Sequence, residues 1–153
     1  MVSRPETPFA LPFGSQGEPP RACLPNSLPT DGRRTVLVID DEPSIRESLG
    51  RVLRAEQLKV IATAGGRQAL EYLLNPQIAL VITDLRMAPI DGCDFIFFAR
   101  IGRPCLPVFV LTGVSPQTSG GADRLATEYF QKPVNLDLLL LAVRKQLQLS
   151  LSP

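Results

Sequence analysis

The chain has 153 residues, a net charge of +1 and 20% charged residues, enough for one domain with a flanking segment and too balanced to favour nucleic acid through bulk electrostatics. There are no histidines, which excludes His general bases, Ser-His-Asp and Cys-His arrangements, His metal ligands and a phosphohistidine on the chain itself. The three cysteines, Cys23, Cys93 and Cys105, are odd in number and widely spaced, so they read as free thiols in a reducing cytoplasm, with Cys93 and Cys105 in the core.

Residues 1–33 are punctuated by Pro5, Pro8, Pro12, Pro19, Pro20, Pro25 and Pro29. Proline removes backbone donors, and the segment has little apolar periodicity to bury, so it is expected to be a disordered tail. The prolines also interrupt any run of signal-peptide length. The longest apolar cluster, Leu138–Val143, is too short to span a bilayer, so no membrane insertion is expected.

From Thr35 the pattern becomes regular. The run TVLVI reads as a first strand and ends in Asp40, Asp41 and Glu42. Pro43 suits a first helical turn, with Glu42 at the cap position. Ile45, Leu49, Val52 and Leu53 then make a helical stripe. Leu58–Ala64 reads as strand two, and Gly66–Leu74 as a short helix stopped by Asn75-Pro76. Ile78–Asp84 reads as strand three, and Gly92–Arg100 as a helix capped by Asp91. Leu106–Gly113 reads as strand four, and residues 117–126 as a weak, Gly-interrupted helix. Thr127–Gln131 reads as a short fifth strand. Asn135 caps a last helix running to about Leu149. Its core face is Leu136, Leu139, Leu140, Val143 and Leu147, while Leu138, Leu141 and Leu149 point elsewhere.

Strands and helices alternate five times, and the strands are mostly unbroken apolar runs. That combination indicates an α/β fold with a parallel sheet covered on both faces. Sites in such sheets lie beyond the carboxyl ends of the strands. Strand one ends in Asp40-Asp41, strand three in Asp84 and strand four in Thr112, and strand five is followed by Lys132. At an effective dielectric of about 20, one pair of like charges about 4 Å apart costs roughly 4 kcal/mol. Either a carboxyl protonates or a cation enters. An oxygen-only site with open positions suits Mg²⁺. A metal, a lysine, a hydroxyl and a carboxylate nucleophile are parts for phosphoryl transfer through an aspartyl phosphate.

Four motifs in order, VIDDEP, ITDLRMAPIDG, LTG and QKP, make Thr35–Leu149 resemble the response-regulator receiver domains of two-component signalling, the CheY-like superfamily. The resemblance implies a doubly wound, flavodoxin-like, five-stranded parallel sheet in the order 2-1-3-4-5 with five helices. It implies a receiver over residues 34–150, with a short tail at 151–153. Asp84 then matches the phosphoacceptor, Asp41 a direct Mg²⁺ ligand and Asp40 the acid acting through water. Asp84 and the Arg86 backbone carbonyl complete the metal set. Thr112 matches the switch hydroxyl, Lys132 the phosphate-binding lysine and Tyr129 the switch aromatic. Pro133 stands where the family commonly has a cis peptide.

The function implied is a cytoplasmic, single-domain signalling switch, not a turnover enzyme. It would take a phosphoryl group from a sensor histidine kinase or a histidine phosphotransfer protein and pass the signal to a downstream protein by contact. The few residues after Leu149 leave no room for a DNA-binding unit. The chain departs from the family at Ala88, where proline is usual, and at Leu125, where a turn glycine is common. The stretch between Thr112 and Lys132 is also slightly short. The leucines of the last helix suggest either scattered surface residues or a partner or homodimer surface. Two alternatives stand beside this reading. One is a degenerate receiver acting as an unphosphorylated binding module. The other is a Mg²⁺-dependent phosphohydrolase with an aspartyl intermediate, although such enzymes carry D-x-D after strand one.

Overall fold

Thr35–Ile39 forms β1, with all five residues buried. It lies at the centre of a parallel sheet, between β2 (Lys59–Thr63) and β3 (Ile78–Asp84). β4 (Val108–Thr112) pairs with β3, and β5 (Glu128–Gln131) pairs with β4, so the strand order is 2-1-3-4-5. Four helices accompany the strands among the described residues: α1 (Pro43–Ala55), α2 (Gly66–Tyr72), α3 (Gly92–Gly102) and α4 (Leu136–Leu147). These features come from a computed structural model, which describes residues 33–87, 90, 92–113 and 125–149.

The unbroken apolar runs are explained by a core on each face of the sheet. Alternate residues of a strand point to opposite faces. In β1, Leu37 and Ile39 pack with Val108 and Val110 of β4 against Ala69 of α2 and Phe95, Ile96 and Ala99 of α3. Their neighbours Val36 and Val38 pack with Phe109 and Leu111 on the other face, against Leu49 and Leu53 of α1 and Leu139, Val143 and Leu147 of α4. Each fully buried side chain of this size contributes about 1.5–3 kcal/mol. The edge strands differ: β2 and β5 are largely half-buried or exposed.

The expected elements recur with trimmed ends. β1 and β3 fall on the expected residues, while β2, β4 and β5 lose terminal residues and α3 runs on to Gly102. The fourth of the five expected helices, residues 117–126, falls outside the described residues except for Leu125 and Ala126, which are not helical. The Asp91 cap and the departure at Ala88 also lie outside them, as does the expected tail as far as residue 32. Glu42 occupies the N-cap position of α1 but makes no side-chain cap bond. Its carboxylate instead accepts from the Ser44 hydroxyl at 2.7 Å. Asn135 does cap α4, accepting from the amides of Asp137 and Leu138. Leu149 packs onto the α1/α4 core instead of pointing away, because the left-handed Gln148 turns the chain back.

The cysteine expectation needs correcting. Cys93 is a half-buried thiol, but Cys105 is exposed and disulfide-bonded. Cys105 falls in the short connection between α3 and β4, where the chain follows the surface.

Candidate functional site

The parallel strands deliver their last residues to one edge. Asp40 follows β1, Asp84 closes β3, Thr112 closes β4 and Lys132 follows β5. Asp40 is fully buried and Asp84 is 8% exposed, while Asp41 faces solvent. One carboxylate oxygen from each of the three lies within 4.8 Å of the others. The Lys132 Nζ donates to Asp40 Oδ2 at 3.0 Å and to Asp84 Oδ2 at 2.9 Å. One ammonium therefore bridges two carboxylates on neighbouring strands. The remaining oxygens are held as well: the Glu42 amide donates to Asp40 Oδ1 at 2.9 Å, and the Arg86 amide to Asp84 Oδ1 at 3.0 Å.

The charges shift one another in a definite sense. Burial raises the Asp40 pKa above 3.8, outweighing the lowering by the Glu42 amide and Lys132. For Lys132, burial works against the ammonium. The hydrogen bonds to Asp84 and Asp40 together overcome it and hold the pKa above 10.5.

Thr112 is buried at 3% exposure. Its carbonyl accepts from the Lys132 amide at 2.8 Å, which ties the end of β4 to the lysine. Its neighbour Leu111 is the register partner of Asp84. The Lys132–Pro133 peptide is cis, as the resemblance implied. Tyr129 is on β5, beside the end of β4 that carries Thr112. It pairs with Val110 within the sheet and packs half-buried against the α2/α3 core.

Two residues that position the site are hard to find in a sequence. The Arg46 guanidinium donates to the Asp40 carbonyl at 2.7 Å, tying α1 to the acidic turn. Gly92 lies beneath the Asp84 backbone, where a Cβ would stand 2.1 Å from the Asp84 carbonyl oxygen. The Gly92 amide donates to the Leu85 carbonyl at 2.9 Å. An Asp-Gly pair before a helix hints at a special turn, but the steric limit depends on a strand packed from elsewhere.

The donor set fits a magnesium ion. It consists of carboxylate oxygens alone, which suits a hard cation, and Asp41 on the solvent side leaves room for water ligands. A shared ion would also relieve the repulsion that Lys132 only partly offsets.

Comparison with known proteins gives a consistent result. The family model described as the response regulator receiver domain matches residues 36–144. The transcriptional regulatory protein GlrR of Escherichia coli K12 is 31% identical over 117 residues, which cover 75% of this chain and 26% of that protein. A response regulator receiver protein from Pseudomonas putida is 34% identical, with a TM-score of 0.69, covering 74% of this chain and 97% of that one. The Thermotoga maritima response regulator TrrA, solved in complex with Mg²⁺-BeF, is 32% identical, with a TM-score of 0.68, covering 74% of this chain and 98% of that one. The chain spans between 26% and 50% of the length of such curated relatives.

Proposed function

The chain belongs to the response regulator receiver domain family, and on that premise we propose that it accepts a phosphoryl group on Asp84 and changes its protein contacts in response. The observation that carries this reading is the Lys132 ammonium shared between Asp40 and Asp84. It places a fixed positive charge beside the carboxylate that would act as nucleophile.

The donor, by family membership, is a phosphohistidine on a sensor kinase or a histidine phosphotransfer protein; this chain, with no histidine, cannot supply one itself. An Asp84 carboxylate oxygen attacks phosphorus, the P–N bond breaks, and the imidazole leaves with the bond's electron pair. Asp41, Asp84 and the Arg86 carbonyl would hold Mg²⁺ directly, with Asp40 acting through water. The bound ion supplies charge neutralisation for the phosphoryl oxygens. Lys132 neutralises the same developing charge from the protein side. A groove of about 560 Å³ adjoins the site, lined by Ile45, Leu49, Pro133, Val134 and Leu136 with Lys132 at its rim. It offers the donor protein an apolar seat beside Asp84.

The phosphorylated state would act by population shift. The phosphoryl group brings about −1.5 to −2 charge. Thr112 donates to it, and the space Thr112 leaves admits Tyr129. Inverting a one-to-ninety-nine equilibrium takes about 5.5 kcal/mol of differential interaction. Signal leaves through a protein partner or a second copy, for which Leu138 and Leu141, each 59% exposed, provide apolar contact. Among the described residues no helix is long and apolar enough to cross a membrane.

The test is to incubate the full chain with a small-molecule phosphodonor and Mg²⁺. One hydroxylamine-labile phosphoryl group should appear by mass, and Asp84→Asn should carry none. A wild-type chain left unmodified would reduce the protein to a binding module. Release of phosphate from a simple ester through many turnovers would make it a phosphohydrolase.

A further inference from the structure

The amino ends of the strands border a second concavity, at the rim of the sheet opposite Asp84. Its volume is about 540 Å³, within the range of roughly 300–1,000 Å³ usual for small-molecule sites. Arg33 lines it from just before β1 and Lys59 from the start of β2. The Thr35–Lys59 pairing holds those two starts side by side, and the Lys59 amide donates to the Arg34 carbonyl at 3.0 Å. Arg54 lines it from the last turn of α1. Leu58, Val60 and Ile61 supply an aliphatic wall, and Gln57 supplies an amide. Among the described residues, none that lines the cavity is acidic.

Two residues here go against local preference. Gly50 is buried inside α1, although glycine is, after proline, the poorest residue for a helix interior. A Cβ there would stand 2.9 Å from Arg54 Nη1, and its three nearest atoms all belong to that guanidinium. The missing side chain lets Arg54, one turn on, lie back along its own helix. Gln57 follows α1 in the left-handed region, at φ 64°. Its amide donates to the Arg54 carbonyl at 3.0 Å, and the Leu58 amide donates to the Leu53 carbonyl at 3.3 Å. In such a turn glycine is the usual left-handed residue. A helix built for stability alone would have alanine at the first position and glycine at the second. Local rules broken twice around one cavity mark a site.

The charges say what it holds. Three cations suit an anion of two charges or more, and the planar arginine fork matches phosphate oxygens in pairs. An inorganic ion would leave most of the volume and the aliphatic wall unused. We propose that this cavity binds a small organic phosphate of nucleotide size, with its phosphate among Arg33, Arg54 and Lys59 and its organic part on Leu58, Val60 and Ile61. Binding needs no metal and is independent of phosphoryl transfer at Asp84.

The probes are the four ribonucleoside 5′-monophosphates and ribose 5-phosphate, titrated into the full chain by calorimetry in EDTA. At least one should bind one to one, and several-fold more tightly than inorganic phosphate or its own unphosphorylated form. Arg54→Gln combined with Lys59→Gln should weaken it about ten-fold or more, as charge-assisted hydrogen bonds are lost. Gly50→Ala should raise the thermal midpoint of the free chain, because alanine favours the helix. It should still weaken the ligand several-fold by displacing the Arg54 guanidinium, and in a more stable chain that loss cannot come from misfolding. Failure of every probe to bind overturns the proposal, as does undiminished binding in either variant. Inorganic phosphate binding as tightly as the organic phosphates would mean an adventitious ion only, and overturns it too.

Discussion

Lys132 shows how far one side chain can carry a site. Its ammonium joins strand ends 92 and 48 positions away in sequence, at Asp40 and Asp84. Asp40 is the costly partner, because burial raises its pKa above 3.8. The folded chain thus holds this proton more tightly than the unfolded chain does. Its contribution is most favourable below 3.8 and declines as pH rises through the folded value. Asp40→Asn removes that decline. Without added divalent ion, the stability of Asp40→Asn relative to wild type should climb across that window, read as urea midpoints. A relative stability that is flat with pH would show that Asp40 is not desolvated. Gly92 supports a second prediction. A Cβ 2.1 Å from the Asp84 carbonyl oxygen must displace backbone. Gly92→Ala should cost about 3 kcal/mol, the upper end of ordinary overpacking, and should weaken Mg²⁺ binding with it. A neutral Gly92→Ala would mean the turn under Asp84 has slack. The acids and the lysine were legible in the sequence because a parallel sheet fixes where strands end. Gly92 and Arg46 were not, since their work depends on atoms that meet only after packing.

At the level of elements, legibility followed burial. β1 and β3 are covered on both faces, so their apolar runs mark their bounds. β2 and β5 lie at the sheet's edges with mixed exposure, and their ends were less distinct. The Asn135 cap could be read because a short amide side chain reaches the next amides. The C-terminus of α4 was read about two residues late, because the residue that turns left-handed there is Gln148, at φ 50°, and not glycine. A brace between α1 and α4 also escaped the sequence pattern. Arg144 grips Glu56 with two bonds, at 2.8 and 2.5 Å, across 88 positions. The hydrogen bond from Arg144, working against burial, lowers the Glu56 pKa below 4.5. The stability this supplies is full above 4.5 and fades as pH falls through the lower folded value. Glu56→Gln should therefore lower the thermal midpoint near neutral pH, and the two chains should converge in acid. Equal midpoints at neutral pH would show that solvent screens the pair completely.

Across the whole molecule, the fold and the site stand or fall together. Asp40, Asp84, Thr112 and Lys132 belong to four strand ends, and none of the contacts between them exists in an unfolded chain. Strand order was legible only through the family resemblance, since apolar runs alone do not say which strand lies beside which. The sheet itself is clamped by cores on both faces, and Phe109 anchors one of them. It is 1% exposed, and its ring centre is 5.5 Å from that of Phe130. Phe109→Ala should cost about 3–5 kcal/mol, a large part of the roughly 5–15 kcal/mol that holds a domain folded. A ligand that binds only the assembled strand ends must oppose that loss. Mg²⁺ at about 100 times its dissociation constant stabilises the folded state by about 2.7 kcal/mol. The ion should therefore restore much of the urea midpoint lost in Phe109→Ala. It should do so far less when Asp41→Asn or Asp84→Asn is added, because each removes one of the three clustered carboxylates. Rescue that persists without those carboxylates would place the ion elsewhere, and the strand-end acids would then need a different explanation.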